Sequence, residues 1–237
     1  MMKLPMLTRP CFAVLNRRDC IVLALSAMGA VIAQAASGAA PRRLLVLGDS
    51  LSAEYGLARG TGWVALLEQR FKTVPMDVEV INASISGDTT AGGRARLPAA
   101  LQRHQPSHVV IELGGNDALR GLPLQATQAN LVAMVAAIRA SGAQAMLIGM
   151  RVPPNYGAAY ARDFEAMFET VARSEGTALV PFLLAGIADD PDALRWFQPD
   201  RIHPTAQAHP RILANVWPVL KPWLLKAPSK APTAQRA

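Results

Sequence analysis

Apolar residues fall in five short runs, Leu44 to Gly48, Val78 to Ala83, Val109 to Leu113, Met146 to Met150 and Ala178 to Pro181. Runs this short and apolar throughout suit strands of a parallel sheet covered on both faces. Each is followed by a longer stretch of helical character. In two of these stretches the apolar positions repeat at i, i+3, i+4 and i+7: Leu131, Met134, Val135 and Ile138, then Phe164, Met167, Phe168 and Val171. Such stripes mark helix faces turned to a core. The βα repetition predicts a three-layer α/β/α domain, doubly wound about a mostly parallel five-stranded sheet. In sheets of this kind ligands sit outside the carboxyl ends of the strands.

With 51% hydrophobic and 17% charged residues in a chain of 237, a disordered or fibrous protein is excluded. The net charge of +7 is concentrated at the ends. Residues 1–35 carry +3, the tail after Leu225 another +3, and everything between only +1. Without a basic stripe interleaved with aromatics, nucleic acid is not an expected partner. Basic residues up to Arg18, an apolar run from Ile21 to Ile32 and then Ala33-Gln34-Ala35 read as an export signal at 1–35, cleaved near Ala35. Twelve apolar residues span roughly 18 Å, short of a bilayer core, so no stable membrane insertion is expected after cleavage. The expected location is the periplasm or the medium. Arg17-Arg18 resembles a twin-arginine signal, and the residues leave the export route open.

Both cysteines, Cys11 and Cys20, lie in the leader, so the mature chain has neither disulfides nor thiolate metal sites. The remaining chain is read as one domain at 36–225 followed by a basic tail at 226–237. No cofactor and no metal are expected. His104 and His108 have the spacing of a zinc pair, but Pro106 lies between them and no third ligand accompanies them. Walker-type and Gly-x-Gly-x-x-Gly loops are absent, as is a Gly-x-Ser-x-Gly elbow.

Three strand-to-loop junctions and one later turn carry residues useful to acyl transfer. They are Gly48-Asp49-Ser50-Leu51-Ser52, Asn82-Ala83-Ser84-Ile85-Ser86-Gly87-Asp88, Gly114-Gly115-Asn116-Asp117 and Asp200-Arg201-Ile202-His203-Pro204. A serine supplies a nucleophile, a glycine lets a backbone N–H approach closely, and an Asn amide offers a donor to an oxyanion. A histidine needs a carboxylate on Nδ1 to leave Nε2 facing the nucleophile, and a three-residue turn brings Asp200 to that side of His203.

These four blocks, in order and spread over the mature chain, resemble those of the SGNH (GDSL) hydrolase superfamily. The strings Gly114 to Gly121, Pro154-Asn155-Tyr156-Gly157 and Ile202-His203-Pro204 are most similar to its bacterial thioesterase/arylesterase/lysophospholipase subgroup. The resemblance implies a flavodoxin-like sheet, Ser50 as nucleophile, His203 as general base and acid, and Asp200 as its orienter. It also implies an oxyanion hole of the Ser50 and Gly87 N–H groups with the Asn116 amide. Asp49, Asp88 and Asp117 are read as loop braces.

The expected activity is a serine esterase or thioesterase acting through an acyl-enzyme on small acyl esters or thioesters, in an enzyme that works as a monomer. Leu119, Leu122, Leu124, Pro153 and Pro154 suggest an apolar acyl groove. A carbohydrate O-acetylesterase with a more polar pocket, and a carrier of acyl lipids without turnover, stand as alternatives.

Overall fold

The computed structural model describes residues 42–226. The predicted leader at 1–35, with its cleavage site, and the tail from 227 onward lie outside the described residues. Strands β1 (Arg42–Gly48), β2 (Val78–Asn82), β3 (His108–Glu112), β4 (Gln144–Ile148) and β5 (Ala178–Val180) lie on the predicted runs. They pair in the order β2-β1-β3-β4-β5, every pair parallel. That order reverses direction between β1 and β3, the switch point where a crevice opens at the carboxyl edge.

Among the described residues six helices cover the sheet: α1 (Trp63–Phe71), α2 (Thr90–His104), α3 (Gly115–Leu119), α4 (Leu124–Ala140), α5 (Ala158–Ser174) and α6 (His209–Leu225). The two apolar stripes are buried as predicted, on α4 and α5. Phe164 and Phe168 meet edge to face, with ring centroids 5.3 Å apart.

Two elements depart from the simple repetition. Edge strand β2 has no fully buried residue, because only one neighbour and α1 cover it. After β5 the chain makes irregular turns before α6, instead of entering a helix directly. This long connection carries Asp200 and His203.

The two ends of the described chain lie at the amino edge of the sheet, away from the crevice. Arg42 opens central strand β1, and the Lys226 carbonyl accepts a hydrogen bond at 3.4 Å from Gln144, the first residue of β4.

One long-range contact fixes how α1 and α6 meet. The N-cap of α1, Gly62, has no side chain to offer, and the free N–H of Trp63 donates instead to Nδ1 of buried His209, 2.9 Å away. Burial pushes the His209 imidazole down from 6.5 to about 4. Between those values the unfolded chain binds the proton and the folded chain does not, so stability from this contact is full above about 6.5 and drains away as pH falls toward 4. His209→Ala should therefore lower the urea-unfolding free energy more at pH 7.5 than at pH 5. An equal loss at both pH values would show that the ring does not act through its neutral form.

Candidate active site

The carboxyl end of β1 runs into the loop that carries Ser50. Register sets Gly48 opposite Glu112, the last residue of β3. A Cβ on Gly48 would lie 2.8 Å from the Glu112 Oε2 and from the Ser52 Cβ, so only glycine lets these groups pack beneath the loop. Asp49 then turns the chain by accepting the Leu51 N–H on Oδ1 at 3.0 Å.

His203 reaches this loop from the connection after β5. A bridge between Phe197 and Pro204 closes a tight loop, with the Gln198 N–H donating to the His203 carbonyl at 2.8 Å. Within it Arg201 takes a left-handed φ of 59°. The Asp200 carboxylate accepts the N–H groups of Ile202 and His203 on Oδ1 at 2.9 and 3.0 Å, and the His203 Nδ1–H on Oδ2 at 2.7 Å. Because the carboxylate can only accept, the ring proton is held on Nδ1 and Nε2 is left to accept the Ser50 hydroxyl at 2.9 Å. Partial burial acts upward on the Asp200 carboxyl, but these hydrogen bonds and the imidazole charge outweigh it and hold the group at about 2.

Tyr55 lies against the imidazole, with ring centroids 4.2 Å apart. Gln198 donates to the carbonyls of Tyr55 and Pro204 at 2.9 and 3.0 Å, tying the serine loop to the histidine loop. Neither Tyr55 nor Gln198 stood out in the sequence, since each acts across a separation that no local pattern records.

Gly87 and Asn116 come to the same rim. The Ile85 N–H donates to the Gly48 carbonyl at 3.0 Å, docking the loop after β2 onto the serine loop, and Gly87 has a φ of 78° that favours glycine. The Asn116 amide donates to Asp49 Oδ2 at 3.0 Å. Arg120, which follows α3, donates to the Gly87 carbonyl at 2.6 Å and so links the two.

The three aspartates read as braces do hold loops. Asp88 accepts from Arg96 at 2.7 Å, and the same guanidinium reaches the carbonyls of Gly48, at 3.2 Å, and Ala83. Buried Asp117 accepts the Thr90 N–H at 2.8 Å, the Thr90 hydroxyl, and the Thr127 hydroxyl at 3.3 Å, fixing α3 to the start of α2. Asp49 does more than brace its turn, since it also touches Asn116.

The apolar residues expected to line a groove divide. Leu119 is exposed beside Asn116 and Leu122 is half-buried in the turn that follows. Leu124 begins α4 and packs against the core. Pro153 is exposed, and Pro154 opens a short 3₁₀ turn through Tyr156. A groove of about 310 Å³ runs between the loop after β2 and α2, lined by Ile85, Arg96, Arg103 and His104 among others, and Ser50 is not on its walls. His108 is buried, with its ring nitrogens at 2.9 Å from the Ser107 hydroxyl and 3.3 Å from the Gln144 amide, and its edge against Trp223. It is a core residue.

Residues 46–211 match the GDSL-like lipase/acylhydrolase family. The chain is 52% identical over 186 residues to the esterase TesA of Pseudomonas aeruginosa, covering 78% of this chain and 91% of that protein. It is 42% identical over 174 residues to thioesterase 1/protease 1/lysophospholipase L1 of Escherichia coli K12, covering 73% and 81%. A crystal structure of the psychrotrophic esterase EstA from Pseudoalteromonas, inhibited by monoethylphosphonate, superimposes with a TM-score of 0.73 at 39% identity, over 78% of this chain and all of that one.

Removing the Asp117 carboxylate would leave the wholly buried Thr90 N–H and hydroxyl without their acceptor. Asp117→Ala should cost about 2 to 3 kcal/mol of unfolding free energy. Urea denaturation measures this, and a loss under about 0.5 kcal/mol would mean that α3 is held by other contacts.

Proposed function

The chain belongs to the GDSL-like lipase/acylhydrolase family, and from that membership we propose that it is an exported serine esterase and thioesterase using Ser50, His203 and Asp200. One observation carries the reading: the continuous hydrogen-bond line from Asp200 through the imidazole to the Ser50 hydroxyl. A carrier of acyl lipids has no need of a serine whose proton already points at a base.

In this mechanism the Ser50 Oγ attacks the acyl carbonyl while His203 Nε2 takes its proton. The oxyanion that forms is met by the N–H groups of Ser50 and Gly87 and by the Asn116 amide. Collapse breaks the bond to the alcohol or thiol, which leaves with the proton from His203. Water then attacks the acyl-Ser50 ester, giving its proton to His203, and release of the carboxylic acid restores the serine. Asp200 holds the ring in the tautomer both steps require.

The proposed substrates are aryl esters, acyl thioesters and lysophospholipids, the last two in line with the name borne by the Escherichia coli relative. Leu119 and Leu122, just after the oxyanion residue, supply an apolar flank for the acyl chain, with Pro153 and Pro154 a second candidate wall. The leader read in the sequence would direct the enzyme to the periplasm or the medium, where it would act as a monomer.

A serine-directed phosphonate should label Ser50 alone, and Ser50→Ala should abolish both labelling and hydrolysis while melting at the parent temperature. Labelling at Ser52, Ser84 or Ser86 would reassign the nucleophile, and no labelling would favour the carrier. Leu122→Ala should reduce kcat/KM for octanoyl esters well below its effect on acetyl esters, since each buried methylene contributes about 0.8 kcal/mol. An equal loss on both chain lengths would move the groove toward Pro153 and Tyr156.

A further inference from the structure

The proposed mechanism leaves one buried acidic pair unused. Asp49 and Glu112 lie at the carboxyl ends of neighbouring strands, almost wholly shielded from water. Glu112 Oε2 accepts the Ser52 hydroxyl at 2.7 Å and, more weakly, the Asp49 N–H at 3.4 Å. Ser52 in turn accepts the Trp63 indole N–H at 3.1 Å. Glu112 Oε1 is buried with no hydrogen-bond partner among the described residues. An ionised carboxylate with a bare oxygen in such a place is costly.

Asp49 has no slack of its own. Oδ1 accepts from Leu51 and Oδ2 from Asn116, so both oxygens must act as acceptors. The Asn116 amide carries two N–H groups, and the one given to Asp49 fixes where the other points. We propose that Asp49 is a positioning residue for the oxyanion hole: its carboxylate grips one N–H of Asn116 and aims the other at the developing oxyanion. This rests on the proposed role of Asn116 as an oxyanion donor.

Burial, and then the charge of Asp49, push Glu112 well above the usual range. Burial lifts Asp49 to about 6, against the hydrogen bonds from Leu51 and Asn116 and the attraction of His203, with Asp88 adding a small upward push. His203 and Asp88 act on it through their charge, and Glu112 packs beside its backbone N–H. As pH falls through about 6, Asp49 gains a proton and its grip on Asn116 loosens.

Asp49→Asn tests this, because the replacement has the same shape but must set an NH₂ against either the Leu51 N–H or the Asn116 amide. Turnover of a p-nitrophenyl ester by the full-length protein is compared across parent, Asp49→Asn, Asn116→Ala and the double variant. The single change at Asp49 should lower kcat by roughly 10- to 100-fold with KM little moved, and in the Asn116→Ala background it should cost less than about threefold. Losses that multiply in the double variant would overturn the proposal, as would a loss confined to KM. If Asn116→Ala keeps the parent kcat, the oxyanion assignment fails instead, and the two failures are told apart.

Should Asp49→Asn not fold, a second measurement needs no change at that residue. In His203→Ala protein labelled with ¹⁵N-asparagine, the side-chain NH₂ signal absent from the His203→Ala, Asn116→Ala double variant should shift as pH crosses the range in which Asp49 titrates. A signal that stays fixed between pH 5 and 8 would refute the link.

Discussion

The site depends on the register of two strands. Because β1 and β3 pair in parallel with Gly48 opposite Glu112, the serine loop and the Gly114 to Asp117 loop leave the sheet side by side. A slip of one residue would turn every side chain of β1 to the other face and separate Ser50 from Asn116. The buried residues from Leu44 to Leu47 and from Val109 to Ile111 make such a slip expensive, since they fill the core on both faces. The hydrophobic packing of the sheet is therefore what fixes the distances among polar groups at its edge.

Around that edge, strong acceptors restrain loops that have no regular structure of their own. Asp200 gathers two backbone N–H groups and the imidazole, Asp117 pins α3, and the Arg96 guanidinium spans the ends of β1 and β2. Glu54, with a left-handed φ of 59°, takes the N–H groups of Gly60 and Gly62 and shapes the approach to α1. Burying Asp49 and Glu112 together opposes folding at neutral pH, because both carboxyls hold protons more tightly when folded than when exposed. A chain under pressure for stability alone would place apolar residues there, and the pair is better understood as the cost of an aligned site.

The sequence carried the strands, the helix stripes and the polar blocks, because each is written in a period or a short string. The stripe from Leu131 to Ile138 is buried as its spacing requires. What it hid were contacts between residues far apart in the chain. Glu112 lies inside the apolar run from Val109 to Leu113, and nothing local marks it as wholly buried against Ser52. His209 caps a helix 146 residues earlier, and Tyr55 covers His203 from the serine loop. No local pattern distinguishes these from surface residues. The irregular path after β5 was also concealed, since its turns answer to the bridge between Phe197 and Pro204 and not to hydrophobic spacing.

The placement of the first and last described residues has a practical side. Arg42 and Lys226 both lie at the amino edge of the sheet, with Ser50 at the opposite edge. A linker, tag or solid support joined at either residue would hold the domain by its back and leave Ser50 facing outward. The same arrangement suits circular permutation of residues 42–226, in which Arg42 and Lys226 are bridged across the amino edge and a new opening is cut in an exposed loop far from the serine.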